Sequence, residues 1–188
     1  ILDGLGNEQL TVGGEPVCSG DWDIIKPRVK AKNSIAYIVW EDRRNGWTSD
    51  IYAQKINSDG DIDWSNDMAI VTSDGSQTEP RLTTDVNGGV YIIWEDERNS
   101  DESGIDIYAQ HVNSSGTITH DTNGELICNA ENVQFNPLVR NDGLGGALIV
   151  WGDQRSGGSY SMNIQRLISS GTTLTANGKE SFLDRKSP

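Results

Sequence analysis

The sequence predicts an all-β fold, a β-propeller-like array of about three four-stranded antiparallel blades, and two repeated motifs support this prediction. The pentapeptide W-x-D-x-R occurs three times, 54 and then 57 residues apart, starting at Trp40, Trp94 and Trp151. A segment related to D-I-Y-A-Q follows each copy, at residues 50–54, 106–110 and, in degenerate form, 161–165. Self-similarity at this period is typical of a stacked or circular array of one supersecondary unit. No segment longer than a turn or two shows the 3.6-residue apolar periodicity of an amphipathic helix.

The second repeat shows how each blade is expected to fold. In chain order it contains a first strand, a glycine-rich turn, a second strand, a third strand, a second turn and a fourth strand, at residues 81–84, 85–89, 90–94, 106–112, 113–116 and 125–128. The second strand is a continuous apolar run, which a strand buried on both faces requires. Propeller blades bury both faces of each sheet. A β-sandwich is the alternative.

The repeat spacing predicts a single repeat domain over residues 1–188. Counted from the turn glycines, the repeats occupy about 6–59, 60–115 and 116–170, with a partial fourth repeat at 171–188. Propellers need about four blades to close. We therefore expect either a longer array, of which this chain is a part, or self-association in which two copies complete a six-bladed ring.

Charge and hydropathy exclude two classes of partner. The net charge is −13 and the isoelectric point is near 4.4. Nucleic-acid binding needs clustered Lys and Arg to neutralise phosphates, so it is not expected. No segment approaches the roughly 20 apolar residues of a membrane span, so no membrane insertion is expected.

The residues common to all repeats are expected to have a structural role. Residues two apart in a strand share a face, so the Asp and Arg of each W-x-D-x-R motif can form an ion pair, and each Trp ends an apolar run that predicts packing. The sets are Trp40, Asp42 and Arg44; Trp94, Asp96 and Arg98; and Trp151, Asp153 and Arg155. The functional alternative is an arginine presented to an acidic ligand.

Aromatic residues that break the repeat are the candidates for ligand binding. Trp22, Trp47 and Tyr160 occur in variable loops, and Trp47 lies close in sequence to Arg44 and Asp42. Aromatic rings on turns can stack on sugar faces at little entropic cost. We therefore expect a ligand-binding set of Trp22, Arg44, Trp47 and Tyr160, with a glycan as the ligand. The alternative is that these rings cover neighbouring loops or an interface.

The turn between the third and fourth strands of the first repeat, Asn57 to Trp64, resembles the Asp-box of sialidase-type propellers (S-x-D-x-G-x-x-W). It departs from that pattern because Asn57 replaces the leading serine and Gly60 comes one position early. The resemblance implies a fold-stabilising turn and no catalytic residue. Asp59, Asp61 and Asp63 also alternate as in a calcium loop, but the downstream Glu and the glycine of an EF-hand are missing. We expect no metal and no cofactor, with calcium as a minor alternative.

Together, the W-x-D-x-R motif, the D-I-Y-A-Q motif and P-x-x-x-x-D-x-x-G-G are similar to repeats of large secreted proteins of Bacteroidetes-like bacteria. The resemblance extends from about Leu2 to Leu183. It implies an extracellular or cell-surface location and a propeller-like fold, and it carries no enzymatic residues.

No constellation typical of an enzyme stands out in the sequence. The two histidines, His111 and His120, lack metal-ligand spacing, and nucleophile elbows, P-loops and dinucleotide motifs are missing. We therefore expect a non-catalytic module for adhesion or for recognition of a carbohydrate or another surface protein. The alternatives are a structural spacer and a sialidase-like glycoside hydrolase, which would need arginines and a Tyr–Glu pair gathered on the propeller axis.

Overall fold

The computed structural model describes residues 14–155, 158–170 and 179–180 of the chain, and these residues form three four-stranded antiparallel sheets. The first sheet contains β1 (Ile24–Lys32), β2 (Ile35–Asp42), β3 (Asp50–Ile56) and β4 (Met68–Val71). The second contains β5 (Gln77–Thr84), β6 (Val90–Asp96), β7 (Asp106–Val112) and β8 (Glu125–Cys128). The third contains β9 (Gln134–Asn141), β10 (Gly146–Asp153), β11 (Ser161–Ile168) and β12 (Lys179–Glu180).

These sheets are three consecutive blades of a β-propeller, so the predicted fold class is confirmed and the β-sandwich alternative is wrong. Each sheet follows the chain in simple up-and-down order, and the four strands predicted for the second repeat are all present. Neighbouring blades contact one another through β1, β5 and β9, which are the inner strands beside the propeller axis. The predicted repeat starts at Gly6 and Gly171 lie outside the described residues, and the repeat boundaries stay a prediction.

The hydrophobic core lies between the blades, and β6 shows why. Val90, Ile92 and Trp94 pack in one buried cluster with side chains of the first blade. Tyr91 and Ile93 pack in a second cluster with side chains of the third blade. Successive residues of a strand point to opposite faces, so a continuous apolar run supplies both interfaces. Each of these five residues is completely buried, as the sequence predicted for this strand.

Polar side chains also connect neighbouring blades. The hydroxyl of Tyr37 donates to the carbonyl of Gly88 at 2.6 Å, and the hydroxyl of Tyr91 donates to the carbonyl of Gly145 at 2.8 Å. Both tyrosines lie three residues before the repeated Trp, and both reach the turn between the first two strands of the next blade. In the third blade the same position is Leu148, which is 38% exposed. A further blade packed on that side therefore could not repeat this bond.

We predict that Tyr91→Phe lowers the free energy of unfolding by about 0.5–1.5 kcal/mol, because it removes one inter-blade hydrogen bond and leaves the aromatic packing intact. Urea denaturation followed by tryptophan fluorescence measures the difference. Tyr160→Phe is the control, since this tyrosine is 70% exposed and should change stability by less than about 0.5 kcal/mol. Equal effects of the two substitutions would contradict the prediction.

Candidate active site

Near its first residues, each inner strand (β1, β5 and β9) contains one residue with a left-handed backbone conformation. Lys26, Glu79 and Asn136 occupy equivalent positions directly before a proline, and their φ angles are 50°, 52° and 52°. The strand register shifts beside each of them. Left-handed backbone is uncommon for residues other than glycine, and β-bulges often re-aim side chains beside active sites. The bulges bring three variable side chains to one end of the axis.

Glutamates from the second strands reach this end of the axis across the blade interfaces. The amide of Glu79 donates to Oε1 of Glu41 at 2.7 Å, and the amide of Asn136 donates to Oε1 of Glu95 at 2.7 Å. Each bond joins the W-E-D glutamate of one blade to the bulge of the next blade. At the equivalent position the third blade has Gly152, which provides no acceptor. Glu41, Glu79 and Glu95 thus gather at the axis, and we call them the axial carboxylate cluster.

Cations surround one member of this cluster. Glu79 lies 2.7 Å from Nζ of Lys26, 3.1 Å from a guanidinium nitrogen of Arg81 and 3.8 Å from one of Arg28. Lys26 also lies 3.3 Å from Glu41, whose side chain is only 2% exposed. The side chain of Glu79 is 25% exposed to solvent. It therefore stays reachable from solvent while opposite charges hold it in place.

The environments of Glu79 and Glu95 move their pKa values in opposite directions. The hydrogen bond from Lys26, helped by Arg81, lowers the pKa of Glu79 despite its partial burial. Burial raises the pKa of Glu95, and the negative charge of Glu79 adds to this effect, while the bond from the Asn136 amide opposes it. A carboxylate pair with divergent pKa values can provide one acid and one ionised partner. General acid–base chemistry at the axis is therefore within the capacity of this cluster.

A cleft of about 210 Å³, which we call the axial groove, runs along the inner strands beside this cluster. Its lining combines four cations with four aliphatic side chains: Arg28, Lys30, Arg81 and Arg140, with Val29, Leu82, Leu138 and Val139. No carboxylate is among these lining residues. The bulge end of the axis thus carries both carboxylates and cations, whereas the axial groove is lined by cations without carboxylates.

The Trp, Asp and Arg side chains of each W-x-D-x-R motif contact one another within their own blade. In the first blade, Asp42 accepts hydrogen bonds from the Trp40 indole at 2.9 Å and from the Arg44 guanidinium at 2.8 Å. The Arg44 guanidinium also stacks on Tyr52, 3.9 Å from the ring centre. The corresponding groups of the other blades make the same Trp–Asp and Arg–Asp contacts: Trp94, Asp96 and Arg98, and Trp151, Asp153 and Arg155.

The residues predicted to bind a ligand do not form one site. The structure brings together Trp22 and Arg44, whose guanidinium lies 4.9 Å from the indole centre. Trp47 is 97% exposed. Tyr160 lies on the third blade, where it meets the ring of Phe135 edge-on at 5.4 Å. A role for these residues in binding stays a prediction.

Sequence reasoning missed the axial residues. Lys26, Glu79 and Asn136 break the repeat directly before the repeated proline, so a comparison of the three copies at this position could have found them. Nothing in the sequence indicates that Glu95 reaches Asn136, because the two are 41 residues apart. Only the stacking of blades brings them into contact.

The turn that resembles an Asp-box lies between β3 and β4, as expected. The side chain of Asn57 accepts hydrogen bonds from the amides of Asp59 at 2.9 Å and Asp61 at 3.0 Å, and Asp63 pairs with Lys55 at 2.7 Å. Within the described ranges, no group of three or more His, Cys, Asp or Glu side chains is arranged to hold a metal ion. The described residues likewise contain no helix long and apolar enough to cross a membrane.

Three solved structures to which the chain is similar are carbohydrate-cleaving enzymes. The chain is similar to an endo-arabinase from Bacteroides thetaiotaomicron, with 17% identity and a TM-score of 0.55 over 82% of this chain and 59% of that one. It is similar to a thermostable family-43 glycoside hydrolase, with 16% identity and a TM-score of 0.53 over 88% of this chain and 55% of that one. For a xylan β-1,4-xylosidase from Bacillus halodurans the values are 14% and 0.50, over 89% of this chain and 31% of that one. The chain thus spans less than two thirds of each.

No protein-family model matches the chain, and no curated protein matches it. At the identities above, the likeness to solved structures establishes the propeller fold, and one of those structures comes from a Bacteroides species, in line with the expected bacterial group. The three structures described above are glycosidases. This finding contradicts two expectations from the sequence, a non-catalytic adhesion or recognition module and the absence of enzymatic activity, and both are wrong. The glycoside hydrolase alternative agrees better with it.

We predict that the buried Asp153 makes the fold sensitive to acid. Burial alone would raise the pKa of Asp153, but hydrogen bonds from Arg155 and from the Trp151 indole outweigh burial and lower it to about 2. In the unfolded chain the pKa is about 3.9. The stabilisation is therefore fully present above pH ~4 and is lost as the pH falls toward ~2.

Urea denaturation between pH 2 and pH 5 tests this prediction. The free energy of unfolding of the unmodified chain should fall as the pH is lowered through this range, and the slope should be smaller for Asp153→Asn, which cannot ionise. Asp59→Asn is the control, since Asp59 lies in an exposed turn. If Asp153→Asn and the unmodified chain have the same slope, Asp153 does not stabilise the fold through its charge.

Proposed function

We propose that the chain forms part of the propeller of a glycoside hydrolase, with Glu95 and Glu79 as the two catalytic carboxylates. The observation that carries this proposal is the placement of the two glutamates at one end of the axis, where Lys26 and Arg81 pair with Glu79 and the Asn136 amide holds Glu95. Their pKa values are displaced in opposite directions, which agrees with this assignment. Glycosidases of most families use one carboxylic acid and one carboxylate on either side of the scissile bond. The glycosidase fold of the similar solved structures supports the same reaction class.

In this proposal Glu95 is the general acid. Its raised pKa favours the protonated carboxyl group, and that proton passes to the glycosidic oxygen as the bond to the leaving sugar breaks. Glu79 stays ionised beside Lys26 and Arg81. Its negative charge stabilises the positive charge that develops on the sugar ring in the transition state, water adds to the ring carbon, and the proton that this water releases restores the carboxyl group of Glu95.

The substrate class follows from the similar structures, which act as an endo-arabinase and a xylan β-1,4-xylosidase. We take polysaccharides built of arabinose or xylose as the first substrates to test. The chain spans 59% or less of these structures, and in this proposal a longer array or a second copy supplies the rest of the ring. The motif resemblance to secreted repeat proteins of Bacteroidetes-like bacteria supports an extracellular or cell-surface location.

We predict that Glu95→Gln lowers the rate of glycoside hydrolysis by at least about 100-fold, because general acid catalysis contributes about 10²–10⁴-fold. The assay measures release of reducing sugar from arabinan and arabinoxylan, together with cleavage of aryl arabinofuranosides and aryl xylosides. Glutamine keeps an oxygen that can accept the bond from the Asn136 amide, so the fold should be retained.

Glu41→Gln is the matched control for this prediction. Glu41 makes the same inter-blade bond to a bulge amide, but it is buried in the first interface and should not transfer protons to a substrate. We expect the Glu41 variant to keep its rate within about tenfold of the unmodified chain. Equal losses in both variants would mean that the bond supports structure only, and no hydrolysis of any of these substrates by the unmodified chain would overturn the proposed function.

We predict an acidic, bell-shaped pH dependence of kcat/KM. Activity requires Glu79 ionised and Glu95 protonated, so it should rise with pH through the lowered pKa of Glu79 and fall through the raised pKa of Glu95. An ordinary glutamate titrates near pH 4.3, so the acidic limb should lie below this value, the alkaline limb above it, and the maximum between the two limbs. Glu95→Gln should abolish the alkaline limb of the residual activity, and an unchanged limb would assign that pKa to another group.

A further inference from the structure

The axial groove concentrates positive charge in a chain that is otherwise strongly acidic. The net charge is −13, yet four of the 15 Lys and Arg residues line this one cleft and no acid does. An acidic protein has abundant carboxylates with which to neutralise such a cluster. The carboxylates of the axial cluster lie instead at its bulge end.

In the described part of the chain, two of these cations pair with no carboxylate. Arg28 and Arg81 share Glu79 at the end of the groove. Among the described residues, none of the ion pairs involves Lys30 or Arg140. Both are exposed side chains on inner strands, Lys30 on β1 and Arg140 on β9. They can therefore meet an anion that enters the groove without first breaking an ion pair.

The guanidinium groups are oriented by the backbone. Arg28 donates to the carbonyl of Pro27 at 3.1 Å, Arg81 donates to that of Pro80 at 3.0 Å, and Arg140 donates to that of Val139 at 2.8 Å. Each bond uses one of the five N–H donors of a guanidinium and leaves others for a ligand. A planar fork held in this way suits a carboxylate, which arginine binds through two parallel hydrogen bonds.

Aliphatic side chains lie among these cations. Val29 is 65% exposed and Leu138 is 54% exposed, and both line the groove. Free inorganic anions gain nothing from apolar contacts, whereas the C–H faces of a sugar ring do. The groove volume of about 210 Å³ is below the roughly 300 Å³ of a pocket for a drug-sized ligand, so a single sugar residue is the appropriate size.

From these observations we propose that the axial groove binds the carboxylate of a uronic acid residue in the polysaccharide, a proposal that rests on the proposed glycosidase function. The uronate carboxylate pairs with Arg140 and Lys30, and its ring packs on Leu138 and Val29. Because two of its arginines, Arg28 and Arg81, also pair with Glu79, the groove selects substrates that carry an acidic sugar next to the bond to be cleaved.

The experiment compares two ligands that differ only in the acidic group, methyl galacturonoside and neutral methyl galactoside. Binding is measured by NMR titration of the Glu95→Gln chain, so the result does not depend on hydrolysis. We expect the uronoside to bind at least about tenfold more tightly, because hydrogen bonds to charged groups are stronger than those between neutral groups. High salt should reduce this difference.

Arg140→Gln and Arg43→Gln form the matched pair of variants, because each removes one positive charge. Arg43 lies outside the groove, where it pairs with Asp23 at 3.6 Å. Arg140→Gln should weaken uronoside binding about fivefold or more, and Arg43→Gln should change it less than about twofold. Equal effects of the two variants would show general electrostatic attraction and would overturn the proposal.

Two further outcomes would also overturn it: equal affinity for the two glycosides, and displacement of the uronoside by sulfate at equal concentration, which would show selection by charge alone.

The binding and hydrolysis results together distinguish failure of the proposed function from failure of this inference. If the unmodified chain hydrolyses no substrate while the uronoside binds as described, the groove is a binding site and the catalytic proposal fails. If neutral polysaccharides are hydrolysed and the uronoside does not bind, only the groove proposal fails.

Discussion

The structure depends on the burial of each blade against its neighbours on both faces. A run such as residues 90–94 is apolar at every position, so neither face of its strand can meet water without a large cost in free energy. The chain meets this constraint by stacking sheets, and alternate residues of one strand then belong to two different cores. The stacking of consecutive sheets sets the order of the blades around the propeller axis.

Because successive side chains of a strand point to opposite faces, the two adjacent acids of the W-E-D sequence have different partners. In the second blade, Asp96 is completely buried and receives hydrogen bonds from Trp94 and Arg98 of its own blade. Glu95, one residue earlier, points the other way and accepts a bond from the amide of Asn136 in the next blade. Two neighbouring carboxylates thus stabilise the blade and the interface respectively, because a strand presents successive side chains to opposite faces.

The candidate active site arises where these inter-blade bonds meet the axis. The bulges place Glu79 beside Lys26 and Arg81, and they also provide the amide that holds Glu95. The hydrogen bonds and ion pairs that join the blades therefore also orient two carboxylates with divergent pKa values. They orient the cations at the bulge end of the axial groove as well. The third blade differs from the other two, since Gly152 and Leu148 replace the glutamate and tyrosine that join blades. Any partner on that side must therefore bind through different contacts.

The sequence by itself determined the elements, their order and the two-sided burial of the second strands, because these depend on local periodicity and on repeats along the chain. It also indicated the Asp–Arg spacing of the W-x-D-x-R motifs, since residues two apart share a face. Only the tertiary structure decided which groups meet at the axis. Lys26 and Glu79 are 53 residues apart, and Glu95 and Asn136 are 41 apart. Their contacts come from blade stacking and left-handed bulges, which no local pattern encodes, and the pKa displacements follow from those contacts.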